Sequence, residues 1–138
     1  MRVVLDTNVL VSGLLWDGPP RQIIDAVRLG SLDLYISPSL LDELSEVLVR
    51  PKFAIRLAAA NVAVFTLVGG VAALATIVRP VDIEATISAD PDDDDVLACA
   101  VAAGAVRIVS GDDHLLSLGS FRGIQVTTAS HLVAELKL

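Results

Sequence analysis

A chain of 138 residues is the size of one domain and can bury about two-thirds of its unfolded surface, so it needs no disulfide framework. Hydrophobic residues make up 54% and charged residues 20%, which excludes disorder and low-complexity tails. Lys and Arg number 10 against 17 Asp and Glu, a formal charge of −7, and this argues against a general polyanion-coating role. Cys99 is the only cysteine, which excludes intramolecular disulfides and multi-thiolate zinc sites and suits a reducing, cytoplasmic location. The opening MRVVLDTNVL carries an acid inside its first apolar run and makes a poor signal peptide.

Arg2-Val3-Val4-Leu5 reads as a short buried strand that stops at the polar turn Asp6-Thr7-Asn8, with a helical stretch through Leu10, Leu14 and Leu15 behind it. Asp17-Gly18-Pro19-Pro20 punctuates the chain. Ile23, Ile24, Val27 and Arg28 then recur at helical spacing until Gly30 supplies a C-cap. Leu32 to Ile36 reads as a second strand, and Ser37-Pro38-Ser39 opens a helix with Leu40, Leu41, Leu44, Val47 and Leu48 on one face, interrupted by Pro51. Farther on come a strand at Thr76 to Val78, a loop through Pro80 and Pro91, and a helix from Asp93 to Ala103. Then follow a strand at Val106 to Val109, a helix at His114 to Leu118, a strand at Ile124 to Val126 and a last helix to Leu136. Apolar strands alternating with helices predict an α/β fold: a three-layer α/β/α sandwich with a mostly parallel sheet of four to five strands, in one domain over residues 1–138.

The stretch from Leu57 to Val78 carries no charge and is long enough, by the ~20-residue measure, to span a bilayer. Gly69-Gly70 divides it, however, and Arg56 and Arg79 flank it symmetrically without an orientation bias. The alternatives are one or two buried helices, or an exposed apolar helical face that meets a partner.

In an open parallel sheet, polar residues gather beyond the carboxyl ends of the strands where the strand order reverses. Asp6 ends the first strand. Asp112 follows the strand Val106 to Val109 by way of Ser110-Gly111, Asp92 to Asp95 start the helix that leads into that strand, and Glu43 lies on the helix after the second strand. Acids from four separate segments can thus converge on one rim. Two unit charges 4 Å apart repel by about 4 kcal/mol at an effective dielectric of 20, and a divalent cation resolves that repulsion. Mg²⁺ takes oxygen ligands and bridges to phosphates, and such ions activate water for phosphodiester hydrolysis.

Each piece also has a plainer reading. The Asp92–Asp95 run suits a helix N-terminus as a cap, Glu43 stands beside Asp42 and Glu46 on what is equally a solvated face, and Asp6-Thr7-Asn8 suits an Asx turn. Cys99 fits an apolar stripe with Val96 and Ala103. His114 and His131 have no partner at metal-ligand spacing and read as structural or solvent-facing.

MRVVLDTNVLVSGLL, SPSLLDELSEVLVRPKF, DPDDDDVLACAVAAGAVRIVSGDDHLL and FRGIQVTTASHLV together resemble the PIN domain over nearly the whole chain. The likeness is to the bacterial and archaeal branch described as toxin components of toxin–antitoxin systems, related to the VapC toxins. The resemblance implies a ribonuclease dependent on one or two Mg²⁺ or Mn²⁺ ions, with RNA as substrate, an antitoxin protein as partner, and a homodimer or higher oligomer. Carried over, Asp6 corresponds to the first acidic ligand with Asn8 as its polar neighbour, and Glu43 to the acid after the second strand. The third acid falls on Asp93, with Asp94 as rival, and the last on Asp112, with Ser110 as the small hydroxyl residue. Relatives often carry a further acid two positions after the Asp112 equivalent. This chain has His114 there, with Asp113 shifted by one.

The resemblance also speaks against a membrane span, because one from Leu57 to Val78 would separate Asp6 and Glu43 from Asp93 and Asp112. Arg50, Lys52 and Arg56 form a local basic cluster suited either to RNA phosphates or to balancing Asp42, Glu43 and Glu46. Two rivals to the nuclease stand: a catalytically silent PIN-like interaction module, and a phosphoryl-transfer or receiver-type domain. The last is disfavoured because Asp6-Thr7-Asn8 lacks a second Asp and no Lys follows a late strand.

Overall fold

The computed structural model describes residues 1–80 and 91–138. The first strand, β1 (Arg2–Leu5), buries Val3, Val4 and Leu5 completely or nearly so. The expected polar turn after it is compressed to one residue: Asp6 is the N-cap of helix α1 (Thr7–Leu15), and its carbonyl accepts from the Val9 and Leu10 amides. An Asp in extended conformation can end a strand and start a helix at once, because its side chain serves the helix's orphan amides.

Helix α2 (Pro19–Arg28) starts on a proline and lies against α1. Gly13 permits that approach, since a Cβ there would stand 2.5 Å from Ile24 Cδ1 and 2.9 Å from the Pro20 carbonyl oxygen. The carbonyls ending α1 are served by two arginines: Arg21 donates to Gly13 and Leu14, and Arg56 to Leu15. Strand β2 (Asp33–Ile36) leads into helix α3 (Pro38–Leu48), where the Ser37 hydroxyl accepts from the Leu40 amide and Leu40, Leu44 and Leu48 are fully buried. Each such leucine contributes about 1.5–3 kcal/mol of apolar burial. Pro51–Phe53 forms a single 3-10 turn, followed by helices α4 (Ala54–Ala60) and α5 (Val64–Leu74) and strand β3 (Thr76–Ile77).

Helix α6 (Pro91–Ala103), strand β4 (Arg107–Val109), helix α7 (Asp113–Leu118), strands β5 (Ser120–Phe121) and β6 (Ile124–Thr127) and helix α8 (Ala129–Leu136) complete the order. The loop expected between Pro80 and Pro91 lies outside the described residues, apart from its end residues. The sheet runs β3-β2-β1-β4-β6-β5, with all neighbours parallel except β5 and β6. Helices α8, α2, α1, α3 and α5 pack successively on one another, whereas α6 packs on β1, β2 and β4. Right-handed crossovers assign α1–α5 and α6 to opposite faces, because β1 to β2 to β3 runs one way across the sheet and β3 to β4 returns.

One expectation is corrected, and the alternatives for the apolar stretch are decided. The sheet has six strands rather than four to five, and the extra one is β5, closed on β6 by Arg122-Gly123 with φ of 49° and 81°. Positive φ at both loop residues is the two-residue hairpin geometry, and a two-residue strand is too short to show any period. Of the alternatives for the apolar stretch from Leu57, the exposed helical face is found rather than buried helices: α4 buries none of its residues and α5 only Val71, while Ile55 and Phe65 are 85% and 88% exposed. Among the described residues no single helix is long and apolar enough to cross a membrane. Pro51–Ala60 and Val64–Leu74 meet the length and composition measure only as a pair, bent by 80°.

Candidate active site

The strand order reverses between β1 and β4, since β2 and β3 extend to one side and β6 and β5 to the other. Asp6 leaves β1 at this point and Ser110 leaves β4, and the Asp6 amide donates to the Val109 carbonyl at 2.9 Å. Both side chains are buried. The Asp6 carboxylate accepts from the Thr7 amide through Oδ1 and from the Ser110 hydroxyl through Oδ2, each at 2.8 Å. Ser110 Oγ in turn accepts from the Asp112 amide at 3.0 Å. One hydroxyl therefore ties the acid after β1 to the backbone of the acid after β4.

Asp112 is the N-cap of α7, and its Oδ1 accepts from the His114 amide at 2.9 Å and the Leu115 amide at 3.2 Å. Asp93 comes from the first turn of α6 and is buried, with 4% exposure. Carboxylate oxygens of Asp93 and Asp112 and an imidazole nitrogen of His114 all lie within 4.8 Å of one another. Of the expected pair Asp93 and Asp94, it is Asp93 that belongs to this group, while Asp94 is half-buried. Asp95 has its pKa raised by burial first and by the charges of Asp92 and Asp94 next.

The group does not include Asp6 or Glu43. Asp6 is turned into its bonds with Thr7 and Ser110, and Glu43 stands half-buried on α3. Asp113 is exposed in the first turn of α7. Asn8, Ser12, Ser110, Thr128 and Ser130 line an open groove beside the Asp6–Ser110 pair. Thr128 and Ser130 were not singled out by sequence, because their nearness to Asn8 depends on β6 pairing with β4.

His114 has a neighbour that its sequence spacing does not show. Its side chain is 61% exposed, as a solvent-facing reading expects, but Nδ1 stands 4.0 Å from Asp112 Oδ1 and the ring joins the Asp93 group. Only the spacing Asp112-x-His114 was visible along the chain, whereas Asp93 is supplied by a different helix. In the basic cluster, Arg56 spends its Nε on the Leu15 carbonyl and the Lys52 ammonium lies 5.1 Å from the centre of the Phe53 ring. Arg50 is exposed.

Residues 2–114 match the family model of the PIN domain. The chain belongs to the PIN domain family. PIN domains are generally nucleases and typically metal-dependent. An uncharacterised protein of Methanocaldococcus jannaschii is 29% identical over 119 residues, which cover 86% of this chain and 75% of that protein.

The residues of this PIN domain fit a divalent ion. Two carboxylates and an imidazole converge from two helices, and one of the carboxylates is buried. Cys99 takes no part: it is fully buried on α6, and burial pushes its thiol up to about 11 against the weaker opposing effect of a hydrogen bond with Ser37. That is the packing role expected of it.

Proposed function

We propose that this PIN domain is an endoribonuclease that hydrolyses RNA phosphodiester bonds with one or two Mg²⁺ or Mn²⁺ ions. The observation that carries the reading is the Ser110 hydroxyl linking Asp6 to Asp112 at the strand-order reversal, with Asp93 beside Asp112. In this reading Asp6, Glu43, Asp93 and Asp112 hold the metal, with Asp94 as a neighbouring carboxylate. When bound, the ion supplies an activated water and offsets the charge that develops on the phosphate oxygens. Ser110 keeps Asp6 oriented, and one of the carboxylates accepts the proton of the attacking water. Asn8 and the hydroxyls of the adjoining groove bind the RNA strand, with Asp113 at its edge and Arg50, Lys52 and Arg56 offering phosphate contacts.

The finer assignment is the toxin of a type II toxin–antitoxin pair, acting in the cytoplasm as one domain and as a homodimer or higher oligomer. The exposed apolar α4–α5 pair supports it as a surface for an antitoxin or a second copy. The same surface also suits a catalytically silent interaction module.

The test is incubation of purified protein with mixed RNA in Mg²⁺ or Mn²⁺ against EDTA, beside Asp6→Asn and Asp112→Asn. Cleavage is expected only with metal and should drop by at least about 100-fold in each variant. Cleavage that persists in EDTA or in both variants overturns the mechanism. A folded protein that cleaves nothing under any condition favours the silent module.

A further inference from the structure

Resting on that reading, we propose that the His114 imidazole is itself a ligand of the ion, so that the centre is a mixed oxygen–nitrogen site that favours Mn²⁺ over Mg²⁺. Asp112 Oδ1 accepts from the His114 amide at 2.9 Å, which fixes the histidine on the same first turn of α7 as the carboxylate. From there the ring reaches back, with Nδ1 4.0 Å from Asp112 Oδ1 and a ring nitrogen within 4.8 Å of the Asp93 carboxylate. Around a six-coordinate ion with bonds near 2.1 Å, neighbouring donor atoms stand about 3 Å apart and opposite ones about 4 Å. The three donors are therefore within a small closing movement of a ligand shell. The buried Asp93 is the stationary member, and the 61% exposed His114 side chain is free to make the adjustment without disturbing packing.

Donor chemistry then sets the preference. Mg²⁺ is small and hard and gains little from an imidazole, whereas first-row transition ions accept nitrogen ligands readily. A histidine on the rim raises affinity for Mn²⁺ relative to Mg²⁺, where a carboxylate in its place would serve both.

The experiment uses the intact protein with Mn²⁺ alone and no RNA, at a pH of about 8 where an imidazole is neutral. Pulsed electron paramagnetic resonance should detect ¹⁴N coupling from a directly bound imidazole, and the coupling should vanish in His114→Ala and survive in His131→Ala. Calorimetric titration should give Mn²⁺ binding weaker by at least about tenfold in His114→Ala, and a Mn²⁺-over-Mg²⁺ preference reduced by a similar factor in His114→Asp. Absence of nitrogen coupling in the wild type, coupling that depends on His131, or an unchanged metal preference overturns the proposal. Metal-dependent RNA cleavage without nitrogen coupling removes the His114 ligand and leaves the nuclease standing. Failure to bind Mn²⁺ at all removes both.

Discussion

The acid rim and the α4–α5 helix pair depart from the usual placement of residues in opposite directions. At the rim, Asp6, Asp93 and Ser110 are buried polar side chains, whereas α4 and α5 set Ile55 and Phe65 in water. At Asp6 the departure is answered inside the fold by the Ser110 hydroxyl and the Thr7 amide, and the neighbouring Asp112 is met by the His114 and Leu115 amides. A buried polar group must be hydrogen-bonded where it stands, but an exposed apolar side chain costs the fold little. The rim is therefore built by the tertiary structure, while the helix pair is carried as a surface. Helix α3 lies between the two, bearing Glu43 and packing against α5.

Leu44→Ala tests whether both regions share that support. Leu44 is fully buried, and the truncation should cost about 2–5 kcal/mol in denaturant unfolding, the largest effect expected. Next is the metal. Mn²⁺ at about 100 times its Kd should stabilise the wild type by about 2.7 kcal/mol, read as a rise in Tm, and Asp112→Asn should lose that rise.

Ser110→Ala removes the hydroxyl between Asp6 and the Asp112 amide. It should cost about 1–3 kcal/mol in EDTA; a neutral result would mean that the rim does not depend on this bridge. A smaller effect, of opposite sign, is expected at Asp95. Its pKa is raised in the folded protein, so the native state binds that proton more tightly than the unfolded chain does. The stability linked to that proton is present below the unfolded pKa and lost as pH rises through the folded one. Asp95→Asn should accordingly raise Tm in EDTA at about pH 7, with the gain fading as pH falls toward about 4. The smallest change belongs to the helix pair: Phe65→Ser should alter monomer stability by no more than about 0.5 kcal/mol. A large loss there would show that the exposed face is part of the core after all.

The parallel elements were legible because burial on both faces writes continuous apolar runs such as Val3 to Leu5, and because capping residues such as Ser37 announce helices. The short β5 strand was not, since its evidence is a positive φ at Arg122 and Gly123 rather than a pattern. Among the acids, Asp6 and Asp112 stood out by following strands, while four consecutive aspartates look alike along the chain. Burial separates them, leaving Asp93 inside and Asp92 exposed. His114 was passed over because its neighbour Asp93 is distant in sequence.

By itself the sequence determined that strands and helices alternate, where they are punctuated, and that acids follow the strands, because these depend on local propensity and on the period of burial. Tertiary structure decided which acid is buried, that a serine joins two loops, and that a histidine turns toward two carboxylates. Those contacts span residues far apart in the chain, and their distances are set only when β1 and β4 pair and α6 packs across them.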